Sequence, residues 1–250
     1  IDAQDADIPI NTISSLTSNP NFGDQVMFVG LGCEKLRRSM LMVKEHSFIS
    51  LQGEKLLGFQ SMVSEIFSQA KAHLEILNKR EREKCPISAL TIGVQCGGSD
   101  SMSGITANPL VGKLADLVIS KGGSVIFSEI TEVRDAASDL FSRCETPEVA
   151  KKLLREFKWY DRYLGRSGAD HSANTTPGNK AGGISNIVEK ALGSVTKSGQ
   201  TAIVDVLHPG QKIQKRGLNF LAGPASDFIC GTLQFAAGSN LHIFTTGRGT

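Results

Sequence analysis

The sequence has no long apolar segment and no excess of one charge. No stretch approaches the roughly 20 consecutive apolar residues that a bilayer-crossing helix needs, and no basic-then-apolar leader stands at its start. The net charge is only +2, and the Lys and Arg residues are scattered rather than arranged in a basic stripe interleaved with aromatic residues. We therefore expect a soluble protein with neither a membrane nor a nucleic acid as partner.

Cysteine is scarce and shows no pairing pattern. The chain has five cysteines, an odd number, and they stand in unrelated sequence contexts. Such a set is not a disulfide framework, which argues for a reducing compartment and predicts a cytoplasmic location. Some of the thiols are then available for chemistry.

Motifs for nucleotide binding are missing as well. The segment Gly30-Leu-Gly32-Cys33-Glu34 follows a strand pattern, but Lys35 does not continue the dinucleotide fingerprint. The segment Gly193-Ser-Val-Thr-Lys-Ser198 lacks the glycine that precedes lysine in a phosphate loop, so we interpret it as a helix C-terminus followed by a turn. Neither segment supports nucleotide binding.

What the chain has is a regular alternation of buried strands and helices. Continuous apolar runs occupy residues 26–29, 90–94, 124–127, 202–206, 218–221 and 242–244. Helical patterns follow, the clearest of them opening with Asn108 as N-cap and Pro109. Uninterrupted apolar strands joined by helices predict an α/β fold, with a Rossmann-like, mostly parallel sheet flanked by helices.

The pattern also predicts two regions. Residues 1–85 hold an arm, a first strand and a long helical segment at residues 53–84 that ends in a solvated run of mixed charge. Residues 86–250 hold the α/β catalytic domain. Because the chain starts at Ile1 and stops at Thr250 after a glycine-rich loop, we expect it to be a piece of a longer protein.

Polar loops at the predicted strand ends carry the candidate chemistry. The first is Val94-Gln-Cys-Gly-Gly-Ser-Asp100, and a second, at residues 174–183, precedes another helix. Ligands bind at the carboxyl ends of strands in open α/β sheets. Cys33 and Cys96 both follow apolar strands, and two thiolates at one edge would suit an iron or iron–sulfur centre, although a lone cysteine is more often a small buried apolar residue.

Further candidates are acidic or basic. Glu129 and Glu132 follow the strand at residues 124–127 and are either metal ligands or acid and base, or simply the first turn of a helix. His171 beside Asp170 is available as a proton carrier. Asn174, Asn179, Lys180 and the glycines at 182 and 183 can cradle a carboxylate or phosphate, and Arg248 can clamp a carboxylate.

Taken in order, several motifs resemble the altronate/galactarate dehydratase family, in its galactarate-specific form. They are Gly32-Cys-Glu34, Gln95-Cys-Gly-Gly-Ser-Asp100 with Ser103-Gly-Ile-Thr-Ala-Asn-Pro109, Phe127-Ser-Glu-Ile-Thr-Glu-Val-Arg-Asp135, Ala173-Asn-Thr-Thr-Pro-Gly-Asn-Lys180, Pro224-Ala-Ser-Asp-Phe-Ile-Cys-Gly231 and Phe244-Thr-Thr-Gly-Arg-Gly249. The resemblance implies a hydro-lyase that dehydrates galactarate to 5-dehydro-4-deoxy-D-glucarate and requires ferrous iron. It also implies a homodimer with an N-terminal β-domain and a dimerisation region ahead of the Rossmann-like domain.

For this reaction we expect three groups of residues. Cys33 and Cys96 would bind the iron, mononuclear or in a cluster. Catalysis falls to Glu129, Glu132, His171 and Lys180, and substrate binding to Ser99, Asp100, Ser103, Asn108, Asn174, Asn179 and Arg248. Two alternatives stay open: a related lyase acting on altronate or sulfolactate, and a non-catalytic sugar-acid-binding fragment.

Overall fold

The computed structural model describes residues 5–41, 48–53, 57–166, 168–170 and 174–249. The chain divides into two compact units, Ile1–Cys85 and Pro86–Thr250. Within the described ranges, no helix combines the length and apolarity needed to cross a membrane.

The first unit is small. It contains helix α1 (Asp7–Leu16), strands β1 (Phe28–Gly30) and β2 (Phe48–Ser50), which pair in parallel, and helix α2 (Phe59–Leu77). The prediction that the helix continues through the charge run to residue 84 is wrong, because α2 ends at Leu77. No apolar residue follows Leu77 before Cys85, so nothing there offers a face that packing could stabilise.

The second unit is built on five parallel strands. They are β3 (Thr91–Gly97), β4 (Ser124–Phe127), β5 (Ile203–Leu207), β6 (Leu218–Leu221) and β7 (Leu241–Thr246), in the order β5-β6-β4-β3-β7. The predicted α/β class with a parallel sheet is confirmed, and each strand overlaps one of the predicted apolar runs.

Eight helices of the described chain connect these strands. They are α3 (Ser101–Ile105), α4 (Ala107–Ser120), α5 (Ile130–Val133), α6 (Ala137–Ser142), α7 (Pro147–Gly165), α8 (Pro177–Ala181), α9 (Ile187–Thr196) and α10 (Asp227–Ala237). Asn186 caps α9, since its side chain accepts a hydrogen bond from the Glu189 amide. The predicted N-cap at Asn108 is wrong. Asn108 lies inside α4, and its buried side chain is used in contacts with other elements.

Two cores cover the two faces of the sheet. Val125 and Phe127 of β4 pack into the larger core with residues of α4, α7 and α9, whereas Ile126 packs into the smaller core with Leu233 and Ala237 of α10. Complete burial of each such side chain contributes roughly 1.5–3 kcal/mol. This packing fixes the register of neighbouring strands, in which Val94 of β3 pairs with Phe127 of β4.

Candidate active site

A cluster of buried polar side chains lies where β3 and β4 end. Its members, which we call the acid–lysine cluster, are Cys96, Glu129, Glu132, Lys190, Ser194 and Lys197, with exposed fractions of 4%, 1%, 4%, 8%, 2% and 0%. Buried charges persist in proteins when they are paired and hydrogen-bonded. The contacts within the cluster meet that requirement.

The sheet register brings the acidic members together. Cys96 lies two residues beyond Val94, and Glu129 two residues beyond its partner Phe127, so the two side chains leave the sheet at the same level. Glu129 has a left-handed backbone, with φ 73° and ψ 62°, at the N-cap of α5. A left-handed conformation costs a residue other than glycine roughly 1–2 kcal/mol. This sharp turn lets Glu132, one turn into α5, point to the same place as Glu129.

Lys197 lies at the centre of the cluster. Its ammonium nitrogen donates to Glu129 Oε2 at 2.6 Å, to Ser194 Oγ at 2.7 Å and to Cys96 Sγ at 3.2 Å. Burial opposes a charge on Lys197, but the acidic groups of Cys96, Glu129 and Glu132 outweigh it and raise the Lys197 pKa well above its usual value. All three N–H groups of this ammonium are therefore engaged by cluster members.

Lys190 connects the cluster to the polar loop before α9. Its Nζ lies 2.9 Å from Glu132 Oε1 and donates to the Asn174 carbonyl at 2.8 Å and to Asn179 Oδ1 at 3.2 Å. Asn179 in turn donates to the Ser99 carbonyl at 2.9 Å. One lysine thus holds the loop at residues 174–179 against the end of β3.

The environment shifts the pKa values of Glu129 and Glu132 in opposite directions. Burial, together with the charge of Glu132, raises the pKa of Glu129 to about 8. Glu132 is buried too, but the ammoniums of Lys197 and Lys190 outweigh that effect and lower its pKa. Burial and the charge of Glu132 raise the pKa of the Cys96 thiol to about 12. Two carboxyl groups whose pKa values are pushed apart are suited to separate acid and base roles.

A cavity of about 580 Å³ opens onto this cluster. Four cluster members, Cys96, Glu132, Lys190 and Ser194, form part of its wall, whereas Glu129 and Lys197 lie behind that wall. The remaining wall is polar on the side of the β3–α3 loop and apolar where α3 and α9 supply Ile105, Val188 and Leu192. Of the two carboxyl groups in the cluster, Glu132 is the one that lines the cavity, and Asp100 and Glu189 line it from outside the cluster.

Four of the predicted substrate-binding residues line the cavity: Ser99, Asp100, Ser103 and Asn108. Asp100 also caps α3, where its carboxylate accepts from the Ser103 amide at 2.7 Å. The Asn108 side chain donates to the Gly193 carbonyl at 3.0 Å and accepts from Thr245, which ties α4 to α9 and β7. These contacts give each residue a structural task in addition to its place in the wall.

The other predicted residues lie elsewhere. Lys180 and Arg248 are exposed and are not part of the cavity wall, although the Arg248 guanidinium lies beside Gly178 at the start of α8. His171 falls outside the described residues. Cys33 belongs to the first unit, where it is exposed and accepts a 3.7 Å hydrogen bond from Gln52. The roles assigned to these residues stay predictions.

Sequence reasoning missed Lys190, Ser194 and Lys197. The interpretation of residues 193–198 as a helix end is confirmed, since α9 ends at Thr196. The available signal was their spacing. Positions separated by four and by three residues share one helix face, and that face also carries the buried Ala191.

The acidic members of the cluster could hold a metal ion. One ligand atom each from Cys96, Glu129 and Glu132 lies within 4.8 Å of the others. A thiolate combined with carboxylates is a donor set for a divalent transition metal rather than for magnesium or calcium, which take oxygen ligands alone. A coordinated thiol is deprotonated, so an ion would reverse the upward shift of the Cys96 pKa.

Comparisons with known proteins match almost the whole chain to one family. The family model "D-galactarate/Altronate dehydratase, C-terminal" matches residues 87–250, and "D-galactarate dehydratase/Altronate hydrolase, second domain" matches residues 1–78. Galactarate dehydratase (L-threo-forming) from Escherichia coli strain K12 is 54% identical over 97% of this chain and 48% of that protein. Altronate dehydratase from Bacillus subtilis strain 168 is 38% identical, over 93% of this chain and 47% of that protein. The chain spans about half the length of the curated relatives it matches.

Proposed function

Because the chain belongs to the D-galactarate/altronate dehydratase family, we propose that it carries the active site of a hydro-lyase that dehydrates galactarate to 5-dehydro-4-deoxy-D-glucarate. The similarity to a galactarate dehydratase at 54% identity supports galactarate over altronate, since the altronate dehydratase from Bacillus subtilis is 38% identical. The single observation that carries the proposal is the ionised Glu132 in the wall of a cavity. The ammonium of Lys190 lies beside one of its carboxylate oxygens and the ammonium of Lys197 lies near the other.

The reaction needs a base beside a positive charge. Water elimination from a hydroxy acid removes the weakly acidic proton next to a carboxylate and expels the neighbouring hydroxyl group. Glu132 is the base in our proposal, because it is ionised and faces the cavity. Lys190 is 2.9 Å from Glu132 in the same wall and places a fixed positive charge where the enediolate develops.

A proton donor for the departing hydroxyl is also present. Glu129 has a pKa near 8 and so retains a proton around neutral pH. It lies behind the wall, but its Oε2 contacts Lys197, which contacts Ser194 in the wall. We assign Glu129 the role of proton reservoir: Ser194 gives its hydroxyl proton to the departing hydroxyl group, Lys197 returns a proton to Ser194, and Glu129 then re-protonates Lys197.

We propose ferrous iron as the ion that Cys96, Glu129 and Glu132 would hold, each through one ligand atom. Glu132 would then keep its second oxygen as the base, whereas metal binding and the reservoir role are alternatives for Glu129, because a coordinated carboxylate has no proton to give. When bound, such an ion acts as a Lewis acid on a substrate carboxylate. The donor atoms fit, since all three lie within 4.8 Å of one another on side chains that are at most 4% exposed. Cys33 stays a proposed ligand from the first unit.

The substrate would lie along the polar side of the cavity. Ser99, Asp100, Ser103 and Asn108 provide the wall there, and the volume is within the range of roughly 300–1,000 Å³ for small-molecule sites. The predicted binding roles of Asn174, Asn179 and Arg248, and the catalytic roles of His171 and Lys180, remain part of the proposal.

We also propose a cytoplasmic homodimer. All five cysteines are free, as expected in a reducing compartment. In the first unit, Phe59 and Phe67 of α2 are 74% and 73% exposed. An exposed aromatic face on one helix is a feature of interaction surfaces, so we assign the dimer contact to α2.

The direct test is turnover of galactarate, altronate and sulfolactate by the full-length protein with ferrous iron and without oxygen. We expect dehydration of galactarate, and a loss of at least about 100-fold in kcat for Glu132→Gln, as general-base removal typically gives. Glu148→Gln, an exposed glutamate at the start of α7, is the matched control and should keep full activity.

Other outcomes would separate the alternatives. Preference for altronate or sulfolactate would place the protein with the related lyases. Binding of galactarate in calorimetry with no product would make it a sugar-acid-binding protein. Full turnover by Glu132→Gln would exclude Glu132 as the base.

A further inference from the structure

We infer that the ammonium of Lys197 and a divalent cation compete for the same donor atoms, so that Lys197 sets the metal affinity of the site. The inference rests on the proposed metal centre at Cys96, Glu129 and Glu132. It goes further by giving a fourth residue, which is not a ligand, control over that centre.

The competition follows from shared atoms. Lys197 Nζ lies 2.6 Å from Glu129 Oε2 and 3.2 Å from Cys96 Sγ, and it is 3.8 Å from Glu132 Oε2. These three residues are the ones whose ligand atoms could hold an ion. An ion bound to Glu129 and Cys96 would lie about 2.0–2.3 Å from the same two atoms. The lysine charge therefore occupies the neighbourhood of the ion.

No solvent lies between the Lys197 ammonium and the place that a divalent ion would take. Lys197 is 0% exposed, and so no water surrounds its ammonium to screen it from an ion. Its third N–H is directed to Ser194 Oγ, at 2.7 Å, which also donates to Glu132 Oε2 at 3.1 Å. Every hydrogen bond of this ammonium is thus made to an ion ligand or to a residue that contacts one.

The arrangement resembles an internal counter-ion. With Lys197 in place, the buried acidic side chains are paired with a cation that the chain itself supplies. A divalent ion can bind only if the ammonium gives up its contacts with Glu129 and Cys96. The energy of those contacts is then subtracted from the metal affinity.

A metal titration tests this directly. The full chain is stripped with a chelator and titrated anaerobically with Co²⁺, and binding is followed by calorimetry and by thiolate-to-cobalt absorption. Lys197→Met, which keeps much of the side-chain volume and removes the charge, should bind Co²⁺ at least tenfold more tightly than the unaltered protein. Lys197→Arg, which keeps the charge, should gain nothing. Equal or weaker binding by Lys197→Met would overturn the inference.

A measurement on the unaltered protein covers the case in which Lys197→Met fails to fold. In a crystal structure with Co²⁺ located by anomalous scattering, we expect Nζ to have left hydrogen-bonding distance of Glu129 and Cys96. An ion ligated by Cys96, Glu129 and Glu132 with Nζ still in place would overturn the inference. Galactarate turnover is assayed separately, and product formation alone decides the dehydration proposal. The absence of any Cys96-dependent cobalt absorption would overturn both the metal centre and the competition.

Discussion

A single methyl group at Gly112 should disrupt the helix contact that supports the acid–lysine cluster. Gly112 is buried in α4 where this helix crosses the C-terminal end of α9. A Cβ placed on Gly112 would overlap the Thr196 carbonyl oxygen and lie 3.0 Å from the Gly199 nitrogen. Because both neighbours are backbone atoms, neither can move aside by a change of rotamer.

The magnitude follows from two opposing effects. Overpacking of a well-packed interior costs about 1–3 kcal/mol, and a collision with backbone belongs at the upper end. Alanine is a better helix former than glycine by about 1 kcal/mol, which offsets part of the loss. We expect Gly112→Ala to lower the free energy of unfolding by about 2 kcal/mol, which corresponds to a fall of roughly 4–8 °C in Tm for a chain of this size.

The control is Gly165→Ala, at the last residue of α7. A Cβ at Gly165 meets no atom within 4 Å, so this substitution should leave Tm unchanged or slightly higher. Scanning calorimetry of both variants gives the comparison. Turnover should fall for Gly112→Ala alone, because displacement of the α9 end also moves Ser194 and Lys197. A Gly112→Ala protein with unchanged Tm and full turnover would show that α4 and α9 do not approach this closely.

Three further predictions concern single side chains. Cys96→Ser should lose thiolate-to-cobalt absorption and most of its bound metal while remaining folded, and normal metal content measured by mass spectrometry would remove Cys96 as a ligand. Lys190→Met leaves Glu132 without a partner at 2.9 Å, so we expect urea denaturation to show a loss of about 3 kcal/mol; a change below about 1 kcal/mol would contradict a buried ion pair. Asp116 accepts from the Gln200 amide at 2.9 Å and from the Thr201 hydroxyl at 2.7 Å. Burial opposes its charge, but these hydrogen bonds lower its pKa below the ordinary value of 3.8. Its stabilisation is therefore complete above that value and lost as pH falls through the lower folded-state pKa, so Asp116→Asn should be less stable by about 1 kcal/mol at pH 7 and nearly equal to the unaltered protein at pH 2, in urea denaturation at each pH.

The strands of the second unit could be predicted because they are buried on both faces. A parallel strand such as β4 (Ser124–Phe127) leaves a continuous apolar run, which is a strong signal even over four residues. The strand β2 (Phe48–Ser50) was not predicted. It has three residues and only one of them, Ile49, is buried, so it leaves no recognisable period.

The acidic half of the site was predictable for a related reason. Cys96, Glu129 and Glu132 directly follow predicted strands, and the carboxyl ends of parallel strands lie at one edge of a sheet. The basic half of the site could not be predicted from the sequence. Lys190 and Lys197 lie on a helix and its cap, where lysine is usually exposed, and only the packing of α9 against α4 and α5 turns them inward.

Backbone strain and buried charge both occur where β3 and β4 end, and both are unfavourable for stability, which indicates that this part of the structure serves a reaction. Glu129 holds a strained backbone, and two carboxyl groups and two lysines are at most 8% exposed. Buried ion pairs of this kind are often no more stabilising than apolar residues of similar volume. A sequence selected for stability alone would therefore place apolar side chains here. Strain and buried charge coincide instead with the wall of the cavity that holds Glu132, which is the arrangement expected where a protein keeps ionised groups in position for a substrate.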